Sequence, residues 1–138
     1  MSVEELRKEA ERWLEIAKSD YESAEILFKS NKYAHACFFC QQAAEKALKA
    51  VWCCLGQETL GRSVLKLIEE LQLVSFNIYR EFKGLKGDAQ YLDEFYISAR
   101  YPDALSDATP DEIYDKEDAE KALYSAKKIL DKVKELME

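Results

Sequence analysis

Cys40-Gln41-Gln42-Ala43-Ala44-Glu45-Lys46-Ala47-Leu48-Lys49-Ala50 lies inside a stretch, Tyr33 to Leu55, that contains neither glycine nor proline. Alanine, leucine, glutamine, glutamate and lysine are strong helix formers, so the stretch predicts one continuous helix. Tyr33, Ala36, Cys37, Cys40, Ala43, Ala44, Ala47, Leu48, Val51 and Leu55 recur every three or four residues and form an apolar stripe for packing against other helices. Gln41, Gln42, Glu45, Lys46 and Lys49 border that stripe.

Partners for the stripe are found on both sides. Toward the N-terminus, Ser2-Val3-Glu4-Glu5 fits a capping box, in which the serine hydroxyl and a glutamate three residues later satisfy free amides at a helix start. The helix it opens runs from Val3 to Lys29, with Leu6, Ala10, Trp13, Ala17, Tyr21, Ala24 and Leu27/Phe28 inward. Lys29-Ser30-Asn31 is a polar stop, and so short a connection makes the first two helices antiparallel neighbours.

On the C-terminal side, Gly56-Gln57-Glu58-Thr59-Leu60-Gly61-Arg62 breaks the pattern. Ser63 then caps a third helix carrying Val64, Leu67, Ile68 and Leu71. Phe76, Tyr79 and Phe82 continue a helix that Gly84 and Gly87 should end, and Asp88 is expected to cap a fourth with Tyr91, Leu92, Phe95 and Tyr96 inward. Pro102 disfavours helical geometry at Tyr101, so Tyr101 to Tyr114 is the longest expected loop. Asp115 opens the last helix, with Glu117 and Asp118 in its first turn and Lys127, Lys128, Lys132 and Lys134 later, the charge order that suits a helix dipole.

The fold class that follows is all-α: an up-and-down bundle of four main helices plus a shorter fifth, in one domain spanning residues 1–138. Only four glycines and two prolines in 138 residues agree with long helices and short connections. A net charge of −7 argues against broad nucleic-acid or anionic-membrane binding, because sequence-independent affinity for phosphate backbones comes from clustered lysine and arginine. The acidic, amphipathic start is neither a signal nor a transit peptide, and no apolar run approaches the ~18 residues of a membrane span. The expected location is the cytoplasm, where cysteines stay reduced except in hyperthermophiles, an origin that 34% charged residues leaves open for these four.

Few residues advertise a reaction. Cys37 and Cys40 form a C-x-x-C, but mid-helix, and Cys53 and Cys54 lie too far along the same helix for all four thiols to meet at one metal, so they read as small core residues. His35, the only histidine, has no neighbouring nucleophile and reads as structural or surface. Gly-rich phosphate loops and metal motifs are absent, so no metal and no cofactor is expected. Leu92-Asp93-Glu94-Phe95-Tyr96-Ile97-Ser98-Ala99-Arg100-Tyr101-Pro102-Asp103 ends by presenting an anion ligand, a stacking surface and a carboxylate, a set able to hold a nucleotide. The competing reading pairs Arg100 with a carboxylate such as Glu45 and sends the aromatics to the core.

Taken together and in this order, Asp20-Tyr21 on a Trp13-bearing helix, the run Gln41 to Lys49, and Leu92-Asp93-Glu94-Phe95-Tyr96 leading to Arg100-Tyr101-Pro102-Asp103 resemble the HEPN domain family, the "higher eukaryotes and prokaryotes nucleotide-binding" domain. The likeness covers essentially the whole chain. It implies a cytoplasmic helical bundle, usually a homodimer, often encoded beside a minimal nucleotidyltransferase in a toxin–antitoxin arrangement. Many members of the family are metal-independent ribonucleases whose signature is an arginine followed, after four to six residues, by a histidine, with both subunits' pairs meeting at the dimer cleft.

This chain departs from that signature, because Arg100 is followed by Tyr-Pro-Asp-Ala-Leu-Ser-Asp and no histidine occurs after His35. Where relatives often place a histidine before the third helix, Arg62 precedes Ser63, and an arginine holds a phosphate but exchanges no proton near neutral pH. The resemblance thus implies a non-catalytic protein that binds a nucleotide or a protein partner, such as a minimal nucleotidyltransferase, through a dimer-related cleft. Arg100 and Arg62 would be anion ligands, Tyr101 a stacking surface, Asp103 the accompanying carboxylate, and Gln42, Glu45 and Lys49 the polar wall. The alternatives are a metal-independent ribonuclease with a divergent site, using His35 across the dimer, and a purely structural interaction module.

Overall fold

The computed structural model describes residues 1–59, 61–99, 101 and 107–138, with Ser98 described by its backbone alone. Among the described residues there are helices and turns and no strand. Helix α1 (Val3–Lys29) begins where Ser2 Oγ accepts the Glu5 amide at 3.1 Å. It ends at Asn31, whose φ of 63° is the left-handed conformation that asparagine tolerates better than most residues. Helix α2 (Tyr33–Cys54) returns against it, and α8 (Lys116–Met137) packs on both. The start of α8 is a reciprocal box in which Asp115 accepts the Asp118 amide at 3.0 Å and Asp118 accepts the Asp115 amide at 2.9 Å.

The fourth side of the bundle is built from short pieces rather than long helices: α3 (Val64–Glu69) with a 3₁₀ turn (Glu70–Leu73), α4 (Phe76–Phe82), a second 3₁₀ turn (Lys83–Leu85), α5 (Lys86–Asp93) and α6 (Phe95–Ser98). The structure corrects the cap expected at Asp88. Helix α4 gives way at Phe82 to the 3₁₀ turn that contains Gly84, but α5 has already begun at Lys86, so Gly87 lies within it and Asp88 falls inside its first turn. Its carboxylate instead accepts Ser125 Oγ at 2.7 Å and pairs with Lys128 at 2.9 Å, fastening α5 to α8. Within the expected loop, α7 (Pro110–Ile113) forms one turn, steadied by Glu112 accepting the Thr109 amide at 3.2 Å.

Helix α2 is the axis of the core, and here the structure departs from the one-sided stripe. Alanines and cysteines on several sides let α1, α8 and the short helices close in. Gln41 and Glu45, expected at the border, are therefore 0% and 2% exposed. Cys37 and Cys40 are buried as expected, whereas Cys53 is half-buried and Cys54 exposed, because the last turn of α2 emerges from the core. Among the described residues no group of His, Cys, Asp and Glu is arranged to hold a metal, and no helix is long and apolar enough to cross a membrane.

Candidate functional site

Residues 41, 45 and 49 are spaced by four, which stacks them on one face of α2. Their side chains form a single chain of polar contacts. Lys49 Nζ lies 3.0 Å from Glu45 Oε2, Gln41 Nε2 donates to Glu45 Oε1 at 3.4 Å and to the carbonyl of Arg62 at 3.0 Å, and Gln42 Nε2 donates to Gln41 Oε1 at 2.8 Å. A buried carboxylate and a buried amide are costly unless each polar atom finds a partner. Among the described residues no buried side-chain nitrogen or oxygen lacks one.

The two ends of this network are cations held by aromatic rings. Lys49 Nζ sits 5.6 Å from the Trp13 ring centre, and the Arg62 guanidinium 5.3 Å from that of Tyr96. Arg62 is exposed while its backbone is tied to Gln41. The next residues are fixed by Asp93, which accepts Ser63 Oγ at 2.9 Å, the Val64 amide at 2.7 Å and the Leu65 amide at 3.0 Å, while Ser63 Oγ accepts the Lys66 amide at 3.1 Å. The free amides of α3 are thus already occupied by the protein's own carboxylate and hydroxyl, and the cations at this end are the exposed side chains of Arg62 and Lys66.

Of the residues named from sequence, the structure gathers Gln42, Glu45, Lys49 and Arg62 around one network. Glu45 is enclosed, so it acts on a ligand only by positioning Lys49. Among the described residues its carboxylate is engaged by Lys49 and Gln41. Tyr101 is exposed just beyond α6, its amide donating to the Ile97 carbonyl at 3.0 Å. Arg100 and Asp103 lie outside the described residues. His35 is exposed in the first turn of α2.

The Asp20-Tyr21 step is a fastener. Asp20 pairs with Lys46 of α2 at 2.5 Å, and Tyr21 donates to the Leu123 carbonyl of α8 at 3.3 Å, its phenol pushed up to about 12 mainly by burial. Burial also pushes the Cys37 thiol up to about 12 and Cys40 well above its ordinary value, which makes both inert as nucleophiles. Sequence reasoning missed Asp93, whose partners lie about thirty positions away, and the joint role of Trp13 and Tyr96 as seats for the two cations.

Comparison with known proteins agrees with this architecture. Residues 10–136 match the HEPN domain. A Methanocaldococcus jannaschii protein described as "Putative toxin MJ1304" is 30% identical over 136 residues, covering 94% of this chain and 89% of its own length. Three solved structures share the fold. TT1696 from Thermus thermophilus has a TM-score of 0.81 and 38% identity, covering 91% of this chain and 96% of its own. ST0689, an archaeal HEPN homologue, has a TM-score of 0.75 and 32% identity over 94% of this chain and 98% of its own. An HEPN domain protein of Thermotoga maritima, TM0613, has a TM-score of 0.67 and 31% identity over 91% and 96%. With a family match across nearly the whole bundle and relatives above 30% identity along it, the chain belongs to the HEPN domain family.

Proposed function

We propose that this HEPN protein binds a nucleotide rather than cutting RNA, and that it works as a cytoplasmic homodimer beside a minimal nucleotidyltransferase in a toxin–antitoxin-like pair. The observation that carries the nucleotide reading is the network on α2, which holds Lys49 at one end and the backbone of Arg62 at the other through the buried Gln41 and Glu45. Arg62 lies against the Tyr96 ring, which leaves the planar edge of the guanidinium for two parallel hydrogen bonds to a phosphate. Lys49 is compensated by Glu45, so it offers donors in a fixed place more than net charge. The description of the M. jannaschii relative supports the toxin-like part of the reading. The single histidine, His35, leaves no Arg–His pair of the family's ribonuclease spacing, which supports binding over cleavage.

Calorimetric titration of the purified protein with ATP and GTP, with its mass measured by light scattering, tests the reading. A dimer with affinity in the micromolar range, about −8 kcal/mol, is expected. Arg62→Ala should weaken it roughly 30- to 100-fold, the worth of a charge-assisted contact to phosphate. Absence of heat with either nucleotide would overturn nucleotide binding.

A further inference from the structure

Beside the Lys49 end of the network lies a cavity of about 550 Å³, walled by Glu9 and Trp13 of α1, Lys49 and Cys53 of α2, and Glu58 and Thr59 of the connection that follows. Its volume falls in the ~300–1,000 Å³ range of small-molecule sites. The charges on its walls say which part of a nucleotide fits. Lys49 is paired with Glu45 at 3.0 Å and Glu9 with Arg12 at 3.0 Å, and the wall also carries the carboxylate of Glu58 and the terminal ammonium of Met1. An aromatic face with a carboxylate beside it suits a planar, uncharged group that donates hydrogen bonds. A second cavity of about 420 Å³ shares Glu58 and Thr59 with the first and carries Arg62 and Lys66, together with Glu70.

We propose that the Trp13 cavity is a nucleobase pocket selective for bases with an exocyclic amine: the base stacks on Trp13, its amine donates to Glu58, the sugar passes Thr59 and the phosphate is directed to Arg62 and Lys66. This rests on the nucleotide-binding reading above and assigns the base end of the same ligand. Stacking on an aromatic side chain tolerates any base, so the preference comes from Glu58. CMP and UMP test the amine contact, since cytosine presents a C4 amine beside an N3 acceptor where uracil presents a C4 carbonyl beside an N3–H donor.

The test is calorimetric titration of wild type, Trp13→Leu, Trp13→Phe, Glu58→Ala and Arg62→Ala with CMP, UMP, AMP and GMP. Wild type is expected to bind CMP at least tenfold more tightly than UMP. Trp13→Leu should lose roughly tenfold to hundredfold for every base, and Trp13→Phe much less. Glu58 is exposed, so Glu58→Ala leaves the fold intact and should bring CMP down to the level of UMP even if Trp13→Leu fails to fold. Equal affinity for CMP and UMP in wild type, or unchanged CMP affinity in Glu58→Ala, overturns the pocket. Binding lost in Arg62→Ala but intact in folded Trp13→Leu and Glu58→Ala leaves nucleotide binding standing and places the base elsewhere. Failure of all four nucleotides to bind wild type defeats both.

Discussion

Replacing Asp93 with alanine should destabilise the protein far more than its surface-like position between two short helices suggests. Its half-buried carboxylate takes three hydrogen bonds, from the Val64 and Leu65 amides and from Ser63 Oγ, at 2.7, 3.0 and 2.9 Å. A hydrogen bond to a charged group contributes about 1.5–3 kcal/mol, and three that share one carboxylate do not add fully. Water reaches part of the gap, which leaves an expected cost for Asp93→Ala of about 3–4 kcal/mol. At roughly 3–4 °C per kcal/mol for a chain of this length, the melting temperature should fall by about 10–15 °C. Asp93→Asn is the informative companion. Its amide oxygen can keep the Val64 contact while its NH₂ faces the Leu65 donor, so it should cost about half as much. Urea denaturation with unchanged m-values is the assay. A loss below about 1 kcal/mol in Asp93→Ala, or equal losses in the two variants, would refute the assignment of Asp93 as the clamp that seats Arg62 and α3.

Alkaline pH should unfold the protein through its buried thiols. Cys37 is raised from its ordinary value of 9.0 to about 12 and Cys40 is raised well above 9.0, so the folded state keeps protons that the unfolded state releases, and stability is whole below pH 9 and declines above it. Between pH 9 and 10 each thiol should account for about 1 kcal/mol, and denaturant titrations of Cys37→Ala should show a correspondingly shallower fall. Asp88→Ala should cost about 2 kcal/mol, because it strips Lys128 of its partner and leaves the hydroxyl of Ser125, 2% exposed, without an acceptor. Adding Ser125→Ala should recover about 1 kcal/mol of that loss in a double-mutant cycle, and strict additivity would count against the contact.

Which parts of this molecule can be read from its sequence follows from the range of the forces involved. Both ends of α1 and the start of α8 are legible because a cap acts within three residues: Ser2 on Glu5, Asn31 turning left-handed, and Asp115 on Asp118. The spacing of Gln41, Glu45 and Lys49 likewise puts them on one face of a helix, whatever packs around it. What cannot be read is tertiary. Asp88 looks like a cap because an aspartate after glycine usually is one, and only the nearness of α8 explains its use as a bridge. The burial of Gln41 and Glu45 is hidden because alanine is compatible with both an exposed and an enclosed helix face. It is the short helices α3, α5 and α6 that decide between them, and their packing has no periodic signature. Arg100 and Asp103, central to the sequence reading, lie outside the described residues.

A buried Gln–Glu–Lys chain along the central helix is a poor device for stability, since apolar residues of similar shape would do as well or better at most buried polar positions. What it provides is placement. Gln41 cannot shift without losing Glu45 or the Arg62 carbonyl, and Glu45 cannot shift without freeing Lys49, so the Lys49 ammonium and the Arg62 backbone are held in register. The same arrangement limits what can be bound. Because Glu45 offsets the charge of Lys49, the guanidinium of Arg62 is the main attraction for a phosphate here, in a protein whose net charge is −7. On the proposed nucleotide-binding reading a small ligand is the better match, because a longer RNA would bring further phosphates to a protein whose net charge is −7.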